Sequence, residues 1–192
     1  MAFTANDLFD ILNEDGTRSG RTKPRALVHR DGDLHGASHI FLTRLHQGRI
    51  EVLLQKRSMT KDSFPGCLDI SSAGHLDCGE DYDTAARREL GEELGLTDHI
   101  PQFLFIQRQD YEASFHGAYF HDREIDHVYM LALDQPAEAF KIEAAELESV
   151  QWMPAAEILR AVDAGDPKFC LLPEEFHRLI PYLEAYFKQK IN

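Results

Sequence analysis

Three glutamates, at positions 89, 92 and 93, stand in a stretch that runs GHLDCGEDYDTAARRELGEELGL from Gly74 to Leu96. With about 100° of rotation per helical residue, Glu89, Glu92 and Glu93 fall within an arc of about 100°, and Ala86, Leu90 and Leu94 fill the adjoining arc. One edge of such a helix is apolar and turns to a core. The neighbouring edge presents three carboxylates near enough to share a cation. Like charges at i, i+3 and i+4 repel by roughly a few tenths of a kcal/mol per pair, and these lie away from the helix N-terminus, where the macrodipole would favour them. Hard oxygen ligands suit Mg2+ or Mn2+, ions that keep several waters and bridge to substrate phosphates. Arg88 lies just beyond Glu92 on the helix surface, and Glu80, near the helix start, is its expected partner. An ordinary solvated acidic face is the plain alternative, and spacing alone does not separate the two.

The whole pattern is more restrictive. Gly74, five residues, Glu80, seven residues, Arg88-Glu89-Leu90, one residue, Glu92-Glu93, one residue, Gly95-Leu96 matches the Nudix signature at every defined position, and on that ground the chain resembles the Nudix hydrolases. The resemblance implies an α/β fold, a Nudix-type α/β/α sandwich with a mixed central sheet on which the signature forms a loop-helix-loop. It implies that Glu89, Glu92 and Glu93, with the Gly74 carbonyl, hold Mg2+ or Mn2+, that Glu89 or Glu92 assists as base, and that Arg88 orients a carboxylate. Such a cation polarises a diphosphate and lowers the pKa of a bound water. The implied activity is that of a pyrophosphatase acting on a nucleoside diphosphate derivative or another small organic diphosphate.

The flanks carry a second resemblance. LLQKRSMTKDSFPGCLDISSAGH upstream and ELESVQWMPAAEI downstream resemble the Nudix branch nearest isopentenyl diphosphate isomerase. Within that branch Lys56, Arg57 and His75 are expected to contact substrate, with a solvated role equally open for the Lys-Arg pair. The isomerases keep a cysteine just before the Gly-His, where this chain has Ala73. Proton transfer at an alkene carbon needs a positioned acid and base, and neither Cys67 nor Cys78 is an obvious substitute. His29, His35 and His75 correspond to positions where isomerases bind a divalent metal, although the gap from His29 to His35 is one residue shorter. Structural or substrate-contacting roles stay open for all three. A third reading, a non-catalytic nucleotide-binding sensor, would be marked by loss of a signature glutamate, and none is lost. Glu146 and Glu148 are candidate extra carboxylates near the metals or plain strand-edge residues. Trp152 reads as core or rim, Glu124 starts a strand with no identified partner, and Tyr111, Phe115, Tyr119 and Phe120 sit in a long loop read as a substrate lid or a surface excursion.

The elements that position these residues follow from periodicity and punctuation. Residues 1–35 read as a hairpin-like lead-in, His39 to Thr43 and Ile50 to Gln55 as a hairpin around Gln47 and Gly48, and Asp81 to Leu94 as a helix stopped by Gly95. Strands are expected at Phe103 to Gln107, Glu124 to Leu133 and Glu148 to Trp152. Helices are expected at Ala155 to Val162 and over residues 173–192, the last kinked or divided by Pro181. With 43% hydrophobic residues in 192, the chain can bury one core, and residues 1–192 read as a single Nudix domain with residues 74–96 as its signature loop-helix-loop. The formal net charge of -13 argues against a nucleic acid polymer gripped by a basic surface. Three unpatterned cysteines point to a reducing compartment. An acidic N-terminus without a long apolar run points away from a signal peptide or membrane span. The expected protein is cytoplasmic, its partner is a small-molecule diphosphate, and a homodimer is left open.

Overall fold

A computed structural model describes residues 8–61, 63–115 and 117–191. The first seven residues of the lead-in, and Asn192 at the end of the expected last helix, lie outside the described residues. In chain order the elements are β1 (Leu8–Leu12), β2 (Arg18–Pro24), α1 (Arg25–Asp31), β3 (His35–His46), β4 (Arg49–Arg57), β5 (Leu68–Asp69) and β6 (Ser72–His75). Helix α2 (Tyr82–Leu94), β7 (Gln102–Phe115), β8 (Ala118–Ala132), β9 (Leu147–Pro154), α3 (Ala155–Asp163) and α4 (Pro173–Ile191) follow.

Strand β3 explains the layering. Ile40 and Leu42 lie on one side of it and Phe41 on the other, and all three are fully buried, so the sheet is covered on both faces. On the first face α2 adds Ala86, Leu90 and Leu94 to Leu53 and Tyr129. On the second, α3 and α4 add Ile158, Phe176, Leu179 and Leu183 to Val52, Leu54 and Val128. The result is the expected α/β/α sandwich. Its seven-stranded sheet runs β5-β4-β3-β8-β7, with β6 also paired to β3 and β9 to β4. The β3–β8 pair is parallel and its neighbours are antiparallel, which makes the sheet mixed.

Helix α2 begins where Asp81 accepts a hydrogen bond from the Thr84 amide at 2.8 Å, and it ends at Gly95, whose φ of 71° is the left-handed conformation glycine adopts without strain. Three other segments differ from the sequence reading. The hairpin does not fill the lead-in: it closes early, between β1 and β2, and Ala26 to Val28 belong to helix α1. Pro181 does not divide α4: it is exposed, and the helix is held by Phe176, Leu179, Leu183 and Phe187 on the buried side. The expected aromatic loop is the far end of the β7–β8 hairpin, where Tyr111 pairs with Asp122 and Phe115 with Ala118. Phe64, from the loop after β4, packs 5.0 Å from Phe115 and 5.5 Å from Tyr111 between ring centroids.

Candidate active site

The carboxylate edge of α2 faces strand β6. Glu89 lies so close to Gly74 that any β-carbon there would overlap the Glu89 carboxylate, so the absence of a side chain at 74 is what admits Glu89. Glu93 is only 4% exposed, and its Oε2 accepts the Ala73 amide at 3.3 Å. Glu92 is the exposed member of the trio. Arg88 ties Glu89 and Glu92 to Glu80. Its Nε and Nη2 donate to the two oxygens of Glu80 at 3.0 and 2.9 Å, and Nη2 also donates to the His75 carbonyl at 3.0 Å. Nη1 reaches one oxygen of Glu89 at 2.5 Å and one of Glu92 at 3.3 Å. Burial pushes Glu89 well above the usual carboxylate range despite Arg88. Burial, and then the Glu89 charge beside it, push Glu93 up as well. Two neighbouring acids whose charged forms burial opposes are the electrostatic condition a divalent cation relieves, and their hard oxygens fit Mg2+ or Mn2+.

The basic residues expected near phosphate are each paired with an acid. Lys56 pairs with Glu148 at 2.9 Å on an exposed edge. Arg57 is drawn inward, donating to Asp69 at 2.9 Å and to the Ser63 carbonyl, so its guanidinium braces the loop after β4. Lys61, which drew no attention in the sequence, pairs with Glu146, and its charge acts on Glu89 and Glu93. Trp152 is structural: its Nε1 donates to the Gln135 carbonyl at 2.9 Å, and the Arg44 guanidinium sits 4.4 Å from its ring centroid.

Strand β6 also serves a second cluster. Gly74 faces α2, so by alternation His75 points to the other face of the sheet. There His75 Nε2 lies 2.7 Å from Glu124 Oε1, while Arg25 Nη1 donates to its Nδ1 at 2.5 Å. His35 Nε2 is 3.4 Å from the same Glu124 oxygen and 3.5 Å from Asp122, and His29 Nε2 is 3.3 Å from Asp122. His29, His35, His75 and Asp122 offer ligand atoms all within 4.8 Å of one another. The buried Nε2 atoms of His29 and His35 and Oδ1 of Asp122 make no hydrogen bond. His35 Nδ1 faces the Asp33 carbonyl at 3.0 Å, the contact that leaves Nε2 as a lone pair directed into the cluster. Burial works against a charged His35, but Glu124 and Asp122 outweigh it and raise its pKa. For His75, burial and then Arg25 hold the ring neutral. Imidazole and carboxylate donors with orphaned lone pairs fit a transition metal better than Mg2+. Asp122 went unnoticed in the sequence. Its signal was the spacing of Asp122, Glu124 and Asp126, three acids on one face of a strand.

Fold and signature define a sandwich of the Nudix type, and comparison with known proteins agrees. The NUDIX domain model matches residues 33–172. Nudix hydrolase 3 of Arabidopsis thaliana is 36% identical over 173 residues, which is 86% of this chain but 21% of that much longer protein. An isopentenyl-diphosphate Delta-isomerase of Aliivibrio fischeri is 27% identical, covering 91% of this chain and 95% of its own. A crystal structure from Deinococcus radiodurans superposes with a TM-score of 0.65 at 22% identity, over 89% of this chain and 98% of that one. The chain therefore belongs to the Nudix family, and relatives named Nudix hydrolases, one of them from Clostridium acetobutylicum 31% identical over 74% of its own length, support a pyrophosphohydrolase. Among the described residues no helix is long and apolar enough to cross a membrane.

Proposed function

We propose that the chain cleaves the diphosphate linkage of a small organic diphosphate, such as a nucleoside diphosphate derivative, with Mg2+ or Mn2+ held by Glu89, Glu92, Glu93 and the Gly74 carbonyl. One observation carries the reading. Half-buried Glu89 and buried Glu93 are both opposed in their ionisation by burial, Glu93 further by the Glu89 charge, and Glu89 packs over a glycine that leaves room for nothing larger. When bound, the cation supplies Lewis acidity and an acidified water. The chain's own residues do the rest. Arg88, anchored on Glu80, holds Glu89 and Glu92 in register on the helix edge. Glu89, with its raised pKa, is suited to take up the proton of the attacking water. Lys61 offsets negative charge beside Glu93. Water adds to phosphorus, the bridging P–O bond breaks, and the products are X-phosphate and phosphate or a nucleoside monophosphate. His75 contributes its carbonyl to Arg88, and Lys56 and Arg57 act on substrate only through the strand end and loop they brace. On this reading residues 1–192 work as one Nudix domain in the reducing cytoplasm, where the free Cys67, Cys78 and Cys170 are stable.

The test is a panel of diphosphate substrates with Mg2+ and with Mn2+, products resolved by mass, on the wild type and on Glu92→Gln and Glu93→Gln. Turnover should fall by about 100-fold or more in both variants while the far-ultraviolet spectrum is unchanged. Metal-dependent turnover that survives both substitutions would remove these residues from the mechanism. An isomerase reading is favoured by the convergence of His29, His35 and His75 on Asp122 and Glu124, and opposed by Ala73. Proton NMR of an isopentenyl diphosphate incubation for the shifted alkene decides between them.

A further inference from the structure

The His29, His35 and His75 cluster does not account for the whole polar row on this face of the sheet. Asp122, Glu124 and Asp126 alternate along β8, and the parallel register that sets His35 opposite Glu124 places His39 on the same face, four residues further along β3. Asp126 is fully buried, at 0% exposure, and neither of its oxygens has a hydrogen-bond partner. A bare carboxylate in that setting is costly unless a proton or a cation neutralises it. A proton alone does not satisfy the site. The nearest imidazole nitrogen, His39 Nε2, is 4.0 Å away, too far to complete a hydrogen bond, so a protonated Asp126 would still leave its polar atoms unmatched.

The other side of the His39 ring is occupied. Nδ1 lies 2.7 Å from Oε1 of Glu175, a buried residue in the first turn of α4. An imidazole whose Nδ1–H is donated to a carboxylate presents its Nε2 lone pair on the opposite edge, the orientation that outer carboxylates impose on metal-ligating histidines. That edge faces Asp126. The ligand atoms of His39, Glu124 and Asp126 lie within 4.8 Å of one another, a gap that one ion can span. We propose that His39, Glu124 and Asp126 bind a divalent transition-metal cation, with Glu175 on α4 holding His39 in the ligating tautomer. Mixed imidazole and carboxylate donors favour Mn2+, Fe2+ or Zn2+ over Mg2+. Glu124 also faces His35 and His75, so it bridges this ion to the neighbouring histidine cluster. The inference does not depend on the hydrolytic reading, because Glu89, Glu92 and Glu93 sit against the opposite face of the sheet.

The experiment uses the full chain, stripped with a chelator, loaded with Co2+, desalted and assayed for metal by mass spectrometry beside His39→Gln and Glu175→Gln. Proton NMR of the same samples records the exchangeable imidazole N–H signals that bound Co2+ shifts far downfield, a signature that ions on the glutamates of α2 do not produce. His39→Gln should hold one Co2+ fewer than the wild type and lack one shifted N–H signal. Glu175→Gln should keep the fold and weaken this site by about 10- to 100-fold. Equal Co2+ content in wild type and His39→Gln, with the same shifted signals in both, overturns the proposal. If His39→Gln does not fold, the wild type decides alone. A shifted N–H assigned to His39 by 15N labelling supports the site, and its absence at saturating Co2+ rules it out.

Discussion

The Glu89 carboxylate fills the space that a β-carbon at Gly74 would need, and this gives the sharpest residue-scale prediction. A methyl group at 74 would occupy the space of the Glu89 carboxylate, so Gly74→Ala must move Glu89 off the helix edge. Displacements near 1 Å at a reacting centre cost about 100-fold in rate. We expect kcat to drop by that order with a melting temperature within a few degrees of wild type, and an unchanged kcat would mean that Glu89 does not need its present position. Glu93 makes a linked prediction about pH. Its folded-state pKa lies above the unfolded value, chiefly through burial, so the folded state holds its proton longer. The folded form is then favoured at pH below the unfolded carboxylate value, and that advantage is lost as pH rises through the folded one. Without divalent ions, Glu93→Gln should therefore be more stable than wild type at pH 8 by roughly 1–3 kcal/mol, with the difference shrinking toward pH 5. Thermal melts in chelator across that range check it. A difference that does not change with pH would show that Glu93 is ionised without strain.

At the scale of elements, α4 holds its place with one face. Phe176, Leu179, Leu183 and Phe187 are buried and Pro181 is exposed, so the proline costs the helix an N–H without contributing to the core. Pro181→Ala should stabilise the fold by about 1–3 kcal/mol, read as a higher urea midpoint at constant slope. A lower midpoint would mean that the ring makes packing contacts or that Pro181 restrains the unfolded chain more than it strains the helix. The same helix shows what the sequence could and could not reveal. A cap at Asp81, a stop at Gly95 and apolar residues one turn apart made α2 and its carboxylate edge legible, because every relevant contact lies within one element or the loop before it. The histidine cluster was only half legible. His29, His35, His75 and Glu124 come from α1, β3, β6 and β8, and it takes the β3–β8 and β3–β6 pairings with α1 packed on β8 to bring them together. The inward turn of Arg57 was not legible either, since a Lys-Arg pair at a strand end reads the same whether its guanidinium meets solvent or Asp69.

For the molecule as a whole, 33 acidic residues against 20 basic ones give a net charge of -13, while the proposed substrate is itself an anion. Long-range repulsion should slow their encounter unless a local basic field offsets it. The ion-paired basic residues around the candidate site supply little of such a field. Arg88 is matched by Glu80, Glu89 and Glu92, Lys56 by Glu148, Arg57 by Asp69 and Lys61 by Glu146. Added salt shortens the range of the repulsion, from about 30 Å at 0.01 M to about 8 Å at 0.15 M. With free Mg2+ held constant, kcat/KM for a diphosphate substrate should therefore rise about two- to five-fold over that interval. The maximal rate should barely change, because the encounter is screened and the bound geometry is not. Initial rates at low substrate concentration in graded potassium chloride measure the effect directly. A fall of kcat/KM with salt would place an attractive cationic field at the mouth of the site, and the bound metal would then be the group that draws the substrate in.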